Sequence, residues 1–161
     1  MGYAALGDDG CVQDIDLTRT QGGTAKSSAA AEPIVERVVV LLAVLTVSLW
    51  VASGLHLAGL VQGQGRPFDA AHAGIAEALI GVVLAVGAGG LWRAGSRGRT
   101  AGLWATGFAI AGFCWGLSIT SRGGHWSDIA YHLVGLSLLT GCFMALLRTG
   151  GTTVGRSWRR R

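Results

Sequence analysis

Four histidines and one glutamate are the residues of this chain whose types and spacing can do chemistry. His56, His72, His125 and His132 each lie at or near an end of a long apolar stretch, and Glu77 lies inside one. Two neutral imidazoles and a carboxylate are a donor set for a divalent transition metal such as zinc, with water completing the shell. The same histidines on facing helices could instead hold a single b-type haem, although one layer of histidines departs from the paired ligands at two depths usual in such bundles. A buried carboxylate beside an imidazole is also a proton-sharing pair. His56, Glu77 and His132 are the candidate metal ligands, with Asp128, His72 and His125 as the surrounding shell. Asp128 precedes His132 by one helical turn, a spacing at which a carboxylate can orient a ligand imidazole.

The elements that must position these groups are four apolar stretches, at residues 34–61, 72–91, 99–120 and 128–147. Half of the 161 residues are hydrophobic and only 14% are charged, a balance that leaves too little polar surface for a water-soluble domain. A hydrocarbon core of about 30 Å needs about 20 helical residues, and each stretch reaches that length. None alternates with the two-residue period of a barrel strand. The predicted fold is all-α: a four-helix antiparallel transmembrane bundle. The connections are too short for anything but antiparallel neighbours, which places all four histidines at one membrane face.

Charge gives an expected orientation. Lys26, Arg37, Arg93, Arg97, Arg99, Arg148, Arg156 and Arg159 to Arg161 share one side, while Arg66 and Arg122 occupy the other. By the positive-inside rule both termini and the Arg93–Gly98 connection face the cytoplasm of a cell membrane. The net charge of +4 is therefore read as membrane orientation, and no nucleic-acid partner is expected. Arg156, Trp158 and the final arginines, in the basic tail 150–161, form an expected interfacial anchor on the lipid bilayer. Residues 1–32 are polar, without an apolar period, and are expected to be a disordered cytoplasmic tail. The first apolar run starts too late and is too long for a cleaved signal, and Leu6 breaks a myristoylation pattern.

Small residues mark the faces on which membrane helices meet. Ala52, Ser53, His56 and Gly59 share a face of the first span. Gly74, Gly81 and Ala88 recur every seventh residue in the second, with Glu77 on the same stripe. Ala105, Ala109, Gly112 and Gly116 line the third, and Asp128, His132, Gly135 and Cys142 the fourth. His56, Glu77 and His132 thus fall inward at a similar depth, roughly 6–12 Å from the outer helix ends. His72 projects roughly 140° away from Glu77 and belongs at the interface. A carboxylate inside a span costs about 2.5–3.5 kcal/mol at mid-membrane, so Glu77 must be paired, protonated or facing water. Asp69 and Asp128 read most simply as helix N-caps. A short similarity between Phe68-Asp69-Ala70-Ala71-His72 and Ser127-Asp128-Ile129-Ala130-Tyr131-His132 relates the two hairpins.

Cys11, Cys114 and Cys142 form no paired motif, which sets aside thiol oxidoreductases that need cysteine pairs. No nucleophile elbow, HExxH, Walker or dinucleotide fingerprint is present. On residues 34–148, especially His72–Glu77 and Asp128-Ile129-Ala130-Tyr131-His132, the chain resembles small four-span integral membrane proteins of high-GC Gram-positive bacteria. That resemblance implies the fold and carries over no catalytic residue. The leading functional expectation is an accessory or structural subunit of a membrane complex, with a homo-oligomer as a further possibility. The alternatives are an outward-facing His/Glu metal or haem site, and a proton-linked small-molecule transporter.

Overall fold

The computed structural model describes residues 17–154, and side chains over residues 33–149 apart from Ser96. Four α-helices follow one another: α1 (Leu17–Leu57), α2 (Ala70–Ala94), α3 (Arg99–Gly123) and α4 (Trp126–Val154), with a 3-10 turn at Gly95–Gly98 between α2 and α3. No strand is found among the described residues. Each helix has a segment long and apolar enough to cross a membrane: Pro33–Leu57, Ala70–Ala94, Arg99–Gly123 and Trp126–Thr149. At 1.5 Å per residue, a 25-residue segment such as Ala70–Ala94 reaches about 37 Å, more than the hydrocarbon core requires.

The helix ends have identifiable causes. α1 stops at Leu57 because Gly59 takes a positive φ of 71° and reverses the chain. The Leu60 N–H then donates to the Leu55 carbonyl (3.0 Å) and the Gly59 N–H to the His56 carbonyl (3.0 Å), the paired bonds of a Schellman ending. The first span is therefore shorter than 34–61, and Gly59 leaves the inward stripe to serve as its terminator. α2 begins where the Asp69 carboxylate accepts the His72 N–H at 3.0 Å, as its spacing predicts. It ends at Gly95, whose N–H donates to the Leu91 carbonyl.

The start of α4 differs from expectation. His125 supplies the cap: its Nδ1 accepts the Ser127 N–H at 3.3 Å and lies 2.9 Å from Ser127 Oγ, while its carbonyl receives the Asp128 and Ile129 N–H groups. Asp128 sits within the first turn, where a carboxylate is favoured by the helix dipole. The similarity between the two hairpins thus does not extend to capping, since Asp69 caps α2 and Asp128 does not cap α4.

Residues 17–32, expected as disordered tail, continue α1 backward through the helix-favouring run Ala29–Ala31. Pro33 lies inside that helix, just before its apolar part. Residues 1–16 and the basic segment 155–161 lie outside the described residues.

Each helix packs on its chain neighbours, most extensively α1 on α2, and α4 closes the ring on α1. The ring has two chemically distinct halves. Toward the end holding Pro33 and the 3-10 turn, its interior is apolar, with Leu42, Leu49, Leu84, Leu91, Leu139 and Leu146 essentially inaccessible. Buried Thr46 and Thr106 there return their hydroxyls to the carbonyls of Leu42 and Gly102 in their own helices. Toward the other end the buried residues turn polar: Ser53, His56, Glu77, Thr120 and Asp128. Phe113 separates the halves, its ring filling the space that a side chain on Gly135 would occupy. The outer surface carries Val40, Val44, Val47, Leu79, Val82, Val86 and the highly exposed Trp92, Trp104, Trp115 and Trp126. So many large apolar side chains exposed on spans of this length are what a membrane-spanning protein presents.

Candidate functional site

Helical register brings His56 and Glu77 together from α1 and α2. The approach is close because Gly74 presents no side chain to α1: a Cβ there would meet the Leu57 side chain and the Ser53 carbonyl oxygen. His56 Nε2 lies 3.5 Å from Glu77 Oε1, with side chains only 4% and 8% exposed. On its other side His56 Nδ1 stands 3.4 Å from the Val61 carbonyl, which can only accept, so Nδ1 carries a proton. Nε2 and Oε1 are the facing atoms of the pair, at a spacing across which a proton can pass between an imidazole and a carboxyl group. Glu77 Oε2 is buried and has no partner among the described residues.

His132 enters the same layer from α4. Its Nδ1 donates to the Asp128 carbonyl at 2.7 Å, a bond to the backbone rather than to the expected carboxylate. That bond fixes the tautomer: in the neutral ring Nε2 is left as an acceptor. Nε2 lies against Gly116 of α3, where any Cβ would collide with it. Phe113 packs on the imidazole at 5.3 Å between ring centroids, and Tyr131 meets it edge-on at 5.9 Å. Asp128 Oδ2 is a second buried oxygen without a partner among the described residues.

The other two histidines stand outside this layer. His72 has an 85% exposed side chain, with Nδ1 3.2 Å from Asp69 Oδ1 at the start of α2. The His72 N–H holds the Asp69 carboxylate below the ordinary carboxylate range. His125 is engaged in capping α4. Among the described residues, no group of three or more His, Cys, Asp or Glu side chains is gathered so as to hold a metal ion. The structure therefore joins His56 to Glu77 and sets His132 in the same wall, without assembling the three-ligand centre that their types suggest. Ring pinning explains the separation, because the Asp128 carbonyl and the Gly116 backbone fix where the His132 imidazole can stand.

These side chains line a cavity of about 440 Å³ between α2 and α3, bounded by His56, Glu77 and His132. Pro67 and Phe68 of the α1–α2 connection form part of its outer boundary, and the Phe68 ring stands 5.7 Å from the His56 ring. That connection is pinned to α3, since the Gln64 N–H donates to the Gly123 carbonyl at 2.7 Å. The cavity extends down Leu79 and Ile80 on α2 and Phe108, Gly112 and Trp115 on α3. Leu79, Phe108 and Trp115 are themselves exposed on the outer surface of the bundle. The cavity thus has a polar base, an apolar wall and a side bounded by residues exposed on the outer surface of the bundle.

Phe68 did not stand out as a site residue by type. Its signal is positional: a bulky residue immediately before an N-cap folds back over the first helical turn. The contact between Ser48 Oγ and Tyr131 Oη at 3.1 Å, which ties α1 to α4 beside the site, has no comparable local signature. Compared with protein-family models, curated proteins and solved structures, the chain matches none.

Proposed function

We propose that this chain is a multi-pass cell-membrane protein that binds a lipophilic small molecule in the cavity between α2 and α3. Both termini lie in the cytoplasm, and the histidine end lies in the outer leaflet. The observation that carries the reading is the cavity: about 440 Å³, within the range of small-molecule sites, mostly apolar, with a few convergent polar groups at one end. A bundle serving only as a scaffold has no use for a buried carboxylate oxygen without a partner, and such groups cost free energy. A ligand donor would satisfy it.

The test is retention of a small molecule through purification in native lipid nanodiscs. Ala76 lines the cavity and is itself exposed, so Ala76→Phe narrows the groove without disturbing the core. An amphiphile retained by the wild type and missing from this variant supports the reading. Identical contents in both sink it.

The accessory-subunit reading stands second, on a separate observation. A Cβ added at Gly54, Gly89 or Gly141 would meet nothing within 4 Å, leaving bare backbone on the outer surface for close approach by another membrane helix. Stoichiometric co-purification with a larger complex, lost in Gly89→Leu or Gly141→Leu, is the outcome it requires.

A further inference from the structure

We infer that the ligand of this cavity is a long-chain primary amine in its protonated form, with the ammonium at Glu77 and the chain lying along Leu79, Phe108 and Trp115. The inference rests on the ligand-binding reading above and names the chemical class. Three observations carry it.

The first is the acceptor balance. Glu77 Oε2 is buried in a side chain 8% exposed and has no partner among the described residues. His132 Nε2 is the second acceptor at the base, because Nδ1 is committed to the Asp128 carbonyl. A buried, unpartnered carboxylate oxygen with a second acceptor in the same lining calls for a head group that supplies several N–H bonds. An ammonium has three donors and no acceptor, a hydroxyl has one donor, and a carboxylate has none.

The second observation is charge. No Lys or Arg lines the cavity: its ionisable lining is Asp69 at the outer rim, Glu77 at the base and the imidazoles of His56, His72 and His132, so no permanent cation opposes an ammonium there. Hydrogen bonds from a cation to a carboxylate are about twice as strong as neutral ones, and stronger still away from water. The third is the wall. Leu79, Phe108 and Trp115 line the cavity and are also exposed on the outer surface, so an apolar chain lying along them keeps contact with lipid.

The experiment uses the full chain in phosphatidylcholine nanodiscs. Three photoreactive probes share one twelve-carbon diazirine chain and differ only in head group: primary amine, alcohol or carboxylate. Labelling of the Phe108–Trp115 segment is divided by labelling of Val44 and Val47, which face lipid on α1 away from the cavity. This ratio cancels unequal partitioning into the bilayer. The amine is expected to exceed the alcohol by about tenfold, equivalent to about 1.4 kcal/mol, with the carboxylate lowest. Glu77→Gln is expected to bring the amine down to the alcohol's ratio. Competition in the wild type, where unlabelled dodecylamine displaces the amine probe and dodecanol does not, discriminates between the head groups without any variant. Equal ratios for amine and alcohol, or displacement by dodecanol as effective as by dodecylamine, overturn the amine assignment and leave the cavity a ligand site. No enrichment over Val44 and Val47 for any probe overturns both.

Discussion

His56 Nε2 and Glu77 Oε1 face each other at 3.5 Å between helices that are adjacent in sequence, and this contact makes each side chain's burial depend on the other. With Nε2 and Oε1 3.5 Å apart and both groups more than nine-tenths buried, neither has water to fall back on. Removing one member leaves the other uncompensated, while removing both removes the problem. His56→Ala is therefore expected to destabilise the bundle by about 3 kcal/mol, and the double substitution His56→Leu with Glu77→Leu to recover most of that loss. Unfolding titrations in mixed micelles measure it. A double variant as unstable as the single would show that the pair is not coupled.

Glycines at contact points and glycines facing lipid should respond in opposite directions. A Cβ on Gly135 would run into the Phe113 ring, whereas one on Gly141 in the same helix meets nothing within 4 Å. Gly135→Ala is expected to cost about 1–3 kcal/mol through overpacking. Gly141→Ala is expected to be neutral or to gain up to about 1 kcal/mol through helix propensity. Thermal unfolding of the two variants side by side decides the matter, and equal effects would contradict the packing described.

Arg99 is a clamp between α3 and α4 whose geometry a lysine cannot copy. Its Nε donates to the Leu146 carbonyl at 2.6 Å and an Nη to the Leu147 carbonyl at 3.2 Å. Arg99→Lys keeps the charge and loses the two-pronged contact. A loss of about 1 kcal/mol is expected, with faster hydrogen exchange in the residues following Leu147. If the lysine variant exchanges at the wild-type rate, charge alone accounts for the role of Arg99.

Asp69 gives a pH dependence whose sign follows from its bond. The His72 N–H favours the ionised carboxylate, so the folded-state pKa lies below the unfolded one. The cap's contribution is therefore complete above the unfolded value, near pH 4, and fades as pH falls through the lower folded value. Amide exchange at the first turn of α2 should accelerate in that acidic window in the wild type. In Asp69→Asn, which retains an acceptor that does not titrate, that acceleration should be absent.

Orientation is open to direct labelling. In a background with native cysteines replaced by serine, a cysteine at Ser127 is expected to react with a membrane-impermeant maleimide on intact cells. A cysteine at Arg97 is expected to react only after permeabilisation. The reverse pattern would invert the proposed topology.

Much of this architecture is visible in residue types because lipid makes simple demands. A run of some 20 apolar residues has few options other than a helix, and Gly74, Gly81 and Ala88 at seven-residue spacing identify the buried face that also holds Glu77. Capping was harder to read. Ser, Asp and Gly compete for the same positions, and His125 takes the cap expected of Asp128, while Gly59 ends a helix that its stripe continues. The site was legible only as a layer. Periodicity reports which way a side chain points and how deep it lies. It does not report that the Asp128 carbonyl holds the His132 ring, or that Phe68 folds across His56, because those contacts depend on backbone atoms and on distances between elements.

Under the proposed ligand-binding function, the exposed wall formed by Leu79, Phe108 and Trp115 also decides where the protein meets its ligand. A molecule reaching the cavity along that wall comes from the surrounding leaflet, so occupancy is set by its mole fraction among lipids rather than its concentration in the medium. Diluting the ligand with empty vesicles should then empty the site even when the aqueous volume is unchanged. Two cells bathed in the same solution, with bilayers that dissolve the compound differently, would load this protein to different extents.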